Sequence, residues 1–554
     1  MIGRHAGSQR PPPGAAPPSG PRQRPGQRWT AAALAPRHAK QLVNHTGATD
    51  AACRRIFGRI GEKQLGLQLD RQQSFHFIGV GGIGMSALAG ILASRGFSVS
   101  GSDPRDNAVT QALRQAGVRI FHEQQAATIT AIRQGRSPGA EAGASRPQPL
   151  VVLSSAVPES NPEVREARRH GLTLCHRSDV LAALIAGQPS IAVAGTHGKT
   201  TTSTLVATLL EATGHDPTAV IGGIVPAFGS NGRDGHGRLL VAEADESDGS
   251  LVKFAAELGL ITNLELDHTD HYPDLDALVA TLQRFAQGCS QLLANHDCPI
   301  LRKHFDASSW WSTETAEGVA FAAIAREERG DGTRADFFEN GSLVGSFDLP
   351  LPGRHNLSNA TAAIAACRLE GIPFADLCAA MARLRTPGRR FDCRGIWADR
   401  IVVDDYAHHP SEVAATLQMA RLMVETGRSP LPRQPHRLVA VFQPHRYSRT
   451  AQFLQEFAIA LSAADLVLVA PLYAAGEAPI AGASSVALAA AVRARIPGRT
   501  VEASRDLQEL AQQVAQLTEA GDLVLAMGAG DVNSLWDRLQ SLESEASAAT
   551  ALVA

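Results

Sequence analysis

The run Ile191-Ala192-Val193-Ala194, followed at once by Gly195-Thr196-His197-Gly198-Lys199-Thr200-Thr201-Thr202, constrains the fold more than any other stretch of the chain. A short apolar run ending in a glycine turn predicts a buried strand that feeds the N-terminus of a helix. In such a loop backbone N–H groups cradle phosphate oxygens, a lysine at the place of Lys199 supplies a point charge to the β- and γ-phosphates, and a hydroxyl at Thr200 is placed to ligate Mg²⁺. Gly195, Thr196, His197, Gly198, Lys199, Thr200 and Thr201 are therefore candidate ATP-binding residues. The loop departs from G-x-x-x-x-G-K-[ST] at one position, because Val193 stands where the first glycine belongs.

Around that loop, from Phe75 onward, apolar strand-like runs alternate with Ala/Leu-rich helical stretches, which predicts α/β architecture with mainly parallel sheets. The alternation restarts at Phe75, at Ile191 after Gly187-Gln188-Pro189, and near Arg400 after Thr386-Pro387-Gly388. A chain of 554 residues exceeds what one hydrophobic core serves. Three domains are expected, spanning 72–187, 188–386 and 387–545. Residues 1–70 are Pro- and Arg-rich and almost without acids, a composition that buries too little apolar surface to offset the entropy of ordering, so a disordered extension is expected there. The Gly/Pro/Ser-rich stretch from Gly135 to Pro149 is expected to be a surface loop ahead of the strand Leu150 to Leu153.

A formal net charge of -2 with 19% charged residues gives no electrostatic footprint for nucleic acid. The apolar runs are far shorter than the roughly 20 residues of a membrane span, and no secretory signal opens the chain, so a cytoplasmic protein without membrane insertion is expected. The seven cysteines form no C-x-x-C pair, which argues against a disulfide framework or a thiolate metal cluster.

A second glycine turn precedes the first. Phe75-His76-Phe77-Ile78 leads into Gly79-Val80-Gly81-Gly82-Ile83-Gly84, a G-x-G-x-x-G pattern opening a helix predicted over Met85 to Ser94. Close backbone approach to a diphosphate fits Gly81 and Gly84, and Asp103, about 20 residues on, fits a ribose hydroxyl. A dinucleotide and a UDP group satisfy this pattern equally. Behind the phosphate loop lie two acidic strings, Glu243-Ala244-Asp245-Glu246-Ser247-Asp248 and Thr262-Asn263-Leu264-Glu265-Leu266-Asp267-His268, each after an apolar strand. Strand C-termini in open α/β sheets face the ligand crevice, which makes Glu243 and His268 candidate metal ligands with Thr200; a solvated surface is the plain alternative for any one of them. Arg446 and Arg449 follow the strand Leu438 to Phe442, where their N–H forks either hold a carboxylate or stand in water. Asn356 and Asn359, three apart on an Ala-rich helix, either face one partner or divide the roles, with Asn356 as N-cap.

Seven motifs in order, from about residue 72 to 545, resemble the Mur ligases: the phosphate loop, the two acidic strings, Gly353-Arg354-His355-Asn356-Leu357-Ser358-Asn359-Ala360, Gly388-Arg389-Arg390-Phe391-Asp392, Asp404-Asp405-Tyr406-Ala407-His408-His409-Pro410 and Pro444-His445-Arg446-Tyr447-Ser448-Arg449-Thr450. The resemblance implies an N-terminal Rossmann-like UDP-binding domain, a central P-loop ATPase-type domain and a C-terminal Rossmann-like domain that receives an amino acid. It implies ATP and Mg²⁺, with Lys199, Glu243 and His268 catalytic and His268 on a second metal. Asn356, Asn359, Arg390 and Asp405 would surround the nucleotide, while Tyr406 and His408 would line the amino-acid pocket with Arg446 and Arg449. His76 to Ser86, which includes Met85 and Ser86, together with Pro444 to Thr450, is similar to the branch that joins L-alanine to the lactyl carboxylate of UDP-N-acetylmuramate through an acyl phosphate.

Other readings explain less of the chain. A sibling ligase that takes a preformed tripeptide, or a folate-polyglutamate-type synthetase, shares the loops. A nicotinamide-dependent oxidoreductase leaves Gly195 to Thr200 without a role, and a nucleotide-binding regulator leaves Arg446, Arg449 and the Glu243/His268 pairing unexplained. The extension offers the first test. Deleting residues 1–65 is expected to leave turnover within about tenfold of the full chain, and a larger loss, above about 1.4 kcal/mol of barrier, refutes its placement outside the folded enzyme.

Overall fold

The computed structural model describes Leu67 and residues 69–134 and 147–553. The expected N-terminal tail, and residues 135–146 of the expected surface loop, lie outside the described residues. The described residues fall in one compact unit, Glu62–Ala554, and build three sheets in chain order.

The first sheet contains β1 (Ser74–Ile78), β2 (Ser98–Ser102), β3 (Arg119–Phe121), β4 (Leu150–Leu153) and β5 (Leu174–His176). All neighbours are parallel, in the order β3-β2-β1-β4-β5. The order reverses between β1 and β4, the place where doubly wound sheets open a ligand crevice. The glycine turn leaves β1 here and enters α1 (Ile83–Ser94). This helix begins two residues before the predicted Met85, because Gly84 is taken into its first turn and Gly82 serves as N-cap.

The second sheet is the largest: β6 (Ser190–Ala194), β7 (Thr218–Val225), β8 (Ser230–Arg233), β9 (Leu240–Glu243), β10 (Leu258–Ile261), β11 (Gln291–Asn295), β12 (Ser309–Ser312), β13 (Phe321–Arg329), β14 (Gly332–Glu339) and β15 (Ser342–Leu349). Its order is β15-β14-β13-β12-β11-β10-β6-β9-β7-β8. β6 is buried at every residue and lies between β9 and β10, so the phosphate loop and both acidic strings leave neighbouring strands at one end. The loop enters α2 (Lys199–Ala212), which packs against α3 (Arg354–Leu369). Small buried residues on α3, Ala360, Ala362, Ala363 and Ala366 among them, permit that approach. The β13-β14-β15 meander is antiparallel, unlike the parallel pattern predicted. Its signal was Asn340-Gly341, both at positive φ (47° and 77°), as a two-residue hairpin turn requires.

The third sheet runs β16-β17-β21-β18-β19-β20, from β16 (Asp392–Trp397), β17 (Arg400–Asp405), β18 (Arg437–Phe442), β19 (Leu466–Val469), β20 (Val501–Ala503) and β21 (Asp522–Met527). Only the β16–β17 edge pair is antiparallel. Helix α4 (Pro410–Thr426) follows β17, and the short α5 (Tyr447–Gln452) follows β18. The α/β class and three-sheet architecture thus agree with the sequence. No helix among the described residues is long and apolar enough to cross a membrane.

The Gly79–Gly84 turn is held by β2. A Cβ built on Gly101 of β2 would lie 2.5 Å from the Cβ of Val80, the buried second residue of the turn. Gly101→Ala must push that turn away or bend β2. Overpacking of this kind costs about 1–3 kcal/mol, to be read as a lower urea midpoint at unchanged slope; an unchanged midpoint refutes the constraint.

Candidate active site

The phosphate loop is shaped by backbone that side chains other than glycine rarely adopt. Gly195 (φ 120°) and Gly198 (φ 82°) both have positive φ. A Cβ on Gly195 would stand 2.9 Å from Thr262 N and Asn263 O, and one on Gly198 would stand 2.5 Å from Asn359 Oδ1. The loop is thus wedged between the strand end at Thr262 and α3. Thr196 N donates to Asn263 O (2.9 Å), His197 N to Asn263 Oδ1 (2.9 Å), and Thr202 Oγ1 to Asn359 Oδ1 (3.2 Å). The first turn of α2 then presents its backbone N–H groups at a helix N-terminus, a fit for phosphate oxygens.

Lys199 and Thr200 each meet a carboxylate of the first acidic string. Lys199 Nζ donates to Gly195 O (2.7 Å), Thr196 O (3.0 Å) and Glu246 Oε1 (2.9 Å). Thr200 Oγ1 donates to Glu243 Oε1 (2.9 Å), whose other oxygen accepts from Gly222 N (2.7 Å). Burial raises the Glu243 pKa despite the charge of Lys199. A hydroxyl and a carboxylate side by side form an all-oxygen donor set of the kind Mg²⁺ takes. His268, at φ 52°, turns its Nε2 to Glu246 Oε1 (3.5 Å). Burial disfavours its charged form, but Glu246 and Asp267 outweigh that and raise its pKa. Glu246 is fully buried and joins Lys199 to His268, a role the sequence reading did not assign. Its position three residues beyond Glu243 in the same acidic string was the available signal.

The third sheet reaches this cluster from the other side. Arg449, 6% exposed, donates from Nε to Asp267 Oδ1 (3.2 Å) and pairs with the same oxygen through Nη2. Burial would raise the Asp267 carboxyl, but the guanidinium of Arg449 holds it well below the usual carboxylate range. The sequence left Arg449 between a carboxylate fork and a solvated side chain; here it is buried, with two N–H groups on one oxygen of Asp267. Arg446 (φ 69°) is half-buried against Asp270 (2.8 Å) and Glu477 (3.5 Å). Tyr406 and His408 stand edge to face (5.2 Å between centroids), and His408 Nδ1 lies 3.0 Å from Tyr406 O. Arg390 sits over the Tyr406 ring at 5.1 Å. Asp405 ends β17 and accepts from Phe391 N (2.8 Å) and Ala407 N (2.7 Å), with burial raising its carboxyl to about 6.

Two sequence alternatives for the asparagines separate. Gly353 caps α3, so Asn356 is not the N-cap; it lies inside the first turn, with Nδ2 donating to Pro352 O (2.8 Å). Asn359 faces the phosphate loop. In the first sheet, Gly81 N donates to Asp103 Oδ2 (3.0 Å), and a Cβ on Gly81 would stand 2.8 Å from that oxygen. Asp103 is buried and also accepts from Arg105 N (3.0 Å), so its carboxylate braces the glycine turn. Met85 and Ser86 are buried in α1, where Ser86 Oγ donates to Ile83 O (3.0 Å).

A phosphate loop with an adjoining oxygen pair, a charged junction between two sheets and a separate doubly wound sheet are the frame of a multidomain nucleotide-binding protein. Family comparisons agree. "Mur ligase family, catalytic domain" matches residues 74–189, "Mur ligase middle domain" residues 193–367, and "Mur ligase, glutamate ligase domain" residues 389–530. The chain belongs to the Mur ligase family. The UDP-N-acetylmuramate–L-alanine ligase of Synechococcus sp. strain CC9605 is 62% identical over 85% of this chain and 99% of that protein. The protein of that name from Prochlorococcus marinus strain MIT 9303 is 60% identical over 86% of this chain and 96% of its own length. Among solved structures, a UDP-N-acetylmuramate-alanine ligase of Thermotoga maritima has a TM-score of 0.69 at 26% identity, covering 86% of this chain and 99% of that one. The murein peptide ligase of Psychrobacter arcticus, at 21% identity with a TM-score of 0.59 over 85% of this chain, shares the fold.

The junction carries a pH-sensitive pairing. His197 Nδ1 lies 3.2 Å from Glu412 Oε1 of α4, and its Nε2 lies 3.3 Å from Glu265 Oε2. Burial disfavours charge on this imidazole and His409 stands beside it, yet the two carboxylates raise its pKa to about 9. A raised folded-state value means that the pairing is fully present below the ordinary value of about 6.5 and is lost as pH rises through about 9. In chelator-containing buffer, the stability gap between the wild type and His197→Gln is therefore expected to narrow between about pH 7 and about pH 10. A gap constant over that range refutes the pairing.

Proposed function

We propose that this chain joins L-alanine to the lactyl carboxylate of UDP-N-acetylmuramate, with ATP converted to ADP and phosphate, in cytoplasmic synthesis of peptidoglycan precursor. The observation that carries this reading is the 62% identity to a ligase of that name along 99% of its length. The first domain, 72–187, holds the UDP-sugar, with the diphosphate at Gly81 and Gly84. The second, 188–386, holds ATP, and the third, 387–545, supplies the amino-acid pocket.

A carboxylate resists attack by an amine because its leaving group would be oxide, so activation is required. The lactyl carboxylate oxygen attacks the γ-phosphorus of ATP, the bond to the β-phosphate oxygen breaks, and ADP leaves. The amine of L-alanine then attacks the acyl carbon, the C–O bond to phosphate breaks, and the amide forms. Lys199 stabilises charge on the transferring phosphoryl group, and the loop N–H groups hold its oxygens in place. Thr200 and Glu243 offer the oxygens that would hold Mg²⁺, with His268 beside Glu246 for a second ion; the metal supplies further charge neutralisation. Asn356, Asn359, Arg390 and Asp405 surround the nucleotide. Arg449 and Arg446 receive the carboxylate of alanine, with Tyr406 and His408 lining the pocket.

Phosphate release from ATP is expected to require both UDP-N-acetylmuramate and L-alanine; release supported by a tripeptide in place of alanine would assign the chain to a sibling activity. Arg449→Lys keeps charge and loses the fork, so apparent alanine affinity is expected to fall about 10- to 100-fold. Trapping of the acyl phosphate with hydroxylamine should stay near the wild-type rate. If trapping fails as badly as ligation, Arg449 belongs to phosphoryl transfer or to the fold.

A further inference from the structure

One cluster at the junction has a chemistry that the ligation reaction does not use. His197 comes from the phosphate loop, Glu265 from the segment after β10, and His409 from the residue that caps α4. One ligand atom from each lies within 4.8 Å of the other two. Glu265 Oε2 is 3.3 Å from His197 Nε2 and 3.5 Å from His409 Nδ1. Zinc-class ions bind imidazole nitrogen at about 2.0–2.1 Å in tetrahedral sets, which places neighbouring ligand atoms roughly 3.3–3.5 Å apart.

His409 gives a second, independent observation. It is 3% exposed, yet neither ring nitrogen makes a hydrogen bond of ordinary geometry: Nδ1 stands 3.5 Å from Glu265 Oε2 and faces the N–H of Glu412 in the first turn of α4. A buried imidazole normally satisfies at least one nitrogen, and leaving both unmade is costly. Burial, with the neighbouring charge of His197, lowers its pKa to about 4, and Nδ1 is the nitrogen nearest Glu265. The surroundings have the form of an outer shell around an ion. Glu412 Oε1 stands 3.2 Å from His197 Nδ1, the nitrogen that Nε2 ligation leaves free, and Ser411 Oγ donates to Glu265 Oε2 (2.5 Å). Carboxylate-histidine-metal chains of this kind fix the tautomer and orient the ring. Phe453 packs edge to face on His409 (5.0 Å) and closes the apolar side.

We propose that His197, Glu265 and His409 bind one divalent transition-metal ion of the zinc class at the junction of the second and third sheets. Two imidazoles and a carboxylate suit Zn²⁺, Co²⁺ or Ni²⁺ over Mg²⁺, whose oxygen donors, Thr200 and Glu243, are different residues. The three ligands leave one tetrahedral position for water or an anion. Because His197 and Glu265 belong to the second sheet and His409 to the third, a bound ion also ties the two together.

The test uses the full-length chain, stripped with chelator and titrated with Co²⁺ alone, without nucleotide or Mg²⁺. One Co²⁺ per chain with the intense visible bands of four-coordinate geometry is expected, and Zn²⁺ should displace it. His409→Gln and Glu265→Gln should each abolish the bands, while His268→Ala keeps them. Glu412→Gln, which leaves all three ligands in place, should weaken binding about 10- to 100-fold. Absence of the bands in the wild type overturns the site. So do bands that survive His409→Gln and Glu265→Gln, or that vanish with His268→Ala in protein whose metal-free melting is unchanged.

Discussion

The buried pair Arg449–Asp267 sets the position of everything at the junction. Both side chains are nearly inaccessible, at 7% and 6% exposure, so neither charge is answered by water. Removing one partner from such a pair costs about 3–5 kcal/mol, because the other remains buried and uncompensated. Asp267 Oδ1 also accepts from His268 N (2.7 Å), and His268 turns from there to Glu246. One ion pair therefore fixes the loop after β18 against the strand end that carries His268. The candidate carboxylate fork and the candidate phosphoryl site are neighbours for that reason.

A second regularity follows along the phosphate loop. His197 meets Glu265 and Glu412, Lys199 meets Glu246, and Thr200 meets Glu243. These polar side chains end on carboxylates from three segments: the string after β9 for Lys199 and Thr200, and the segment after β10 together with α4 for His197. Gly198 stands between them at positive φ, where Asn359 leaves no room for a Cβ. Order in the loop thus comes from cations and a hydroxyl anchored outward and from the N–H groups of Thr196 and His197 on Asn263, while the first turn of α2 keeps the N–H groups of a helix N-terminus for the ligand. This arrangement suits a site that must bind a polyanion without rebuilding itself.

Much of this was legible in the sequence because it is local. A strand, a glycine turn and a helix are contiguous, so Gly79 to Gly84 and Gly195 to Thr202 announce themselves, and strand C-termini bring Glu243 and His268 to the same end of one sheet. What escaped is pairing over long separations. Nothing near Asp267 in the chain points to Arg449, 182 residues away, and nothing near His197 points to Glu412, 215 residues away. Asp103 read as a carboxylate at the right spacing for a ribose hydroxyl, and only the fold reveals that it also accepts from Gly81 N and Arg105 N. The β13-β15 meander escaped for another reason: β14 and β15 mix buried and exposed residues without the strict alternation that marks a half-buried strand.

The geometry of Arg449 also bears on how an amino acid would be received there. Its Nε and Nη2 both lead to a single oxygen of Asp267, so the pair is not a two-oxygen fork. Nη1 lies 3.3 Å from His445 Nδ1. Burial and the neighbouring His408 and Arg449 charges lower the His445 pKa to about 4, which makes that ring a neutral acceptor and a weaker partner than a carboxylate. A guanidinium carries five N–H donors, and Asp267 engages two. The edge formed by Nη1 and the remaining Nη2 hydrogen is the one a second carboxylate meets, displacing only the contact to His445. In the proposed reaction, the carboxylate of alanine would therefore share the guanidinium with Asp267 rather than displace it.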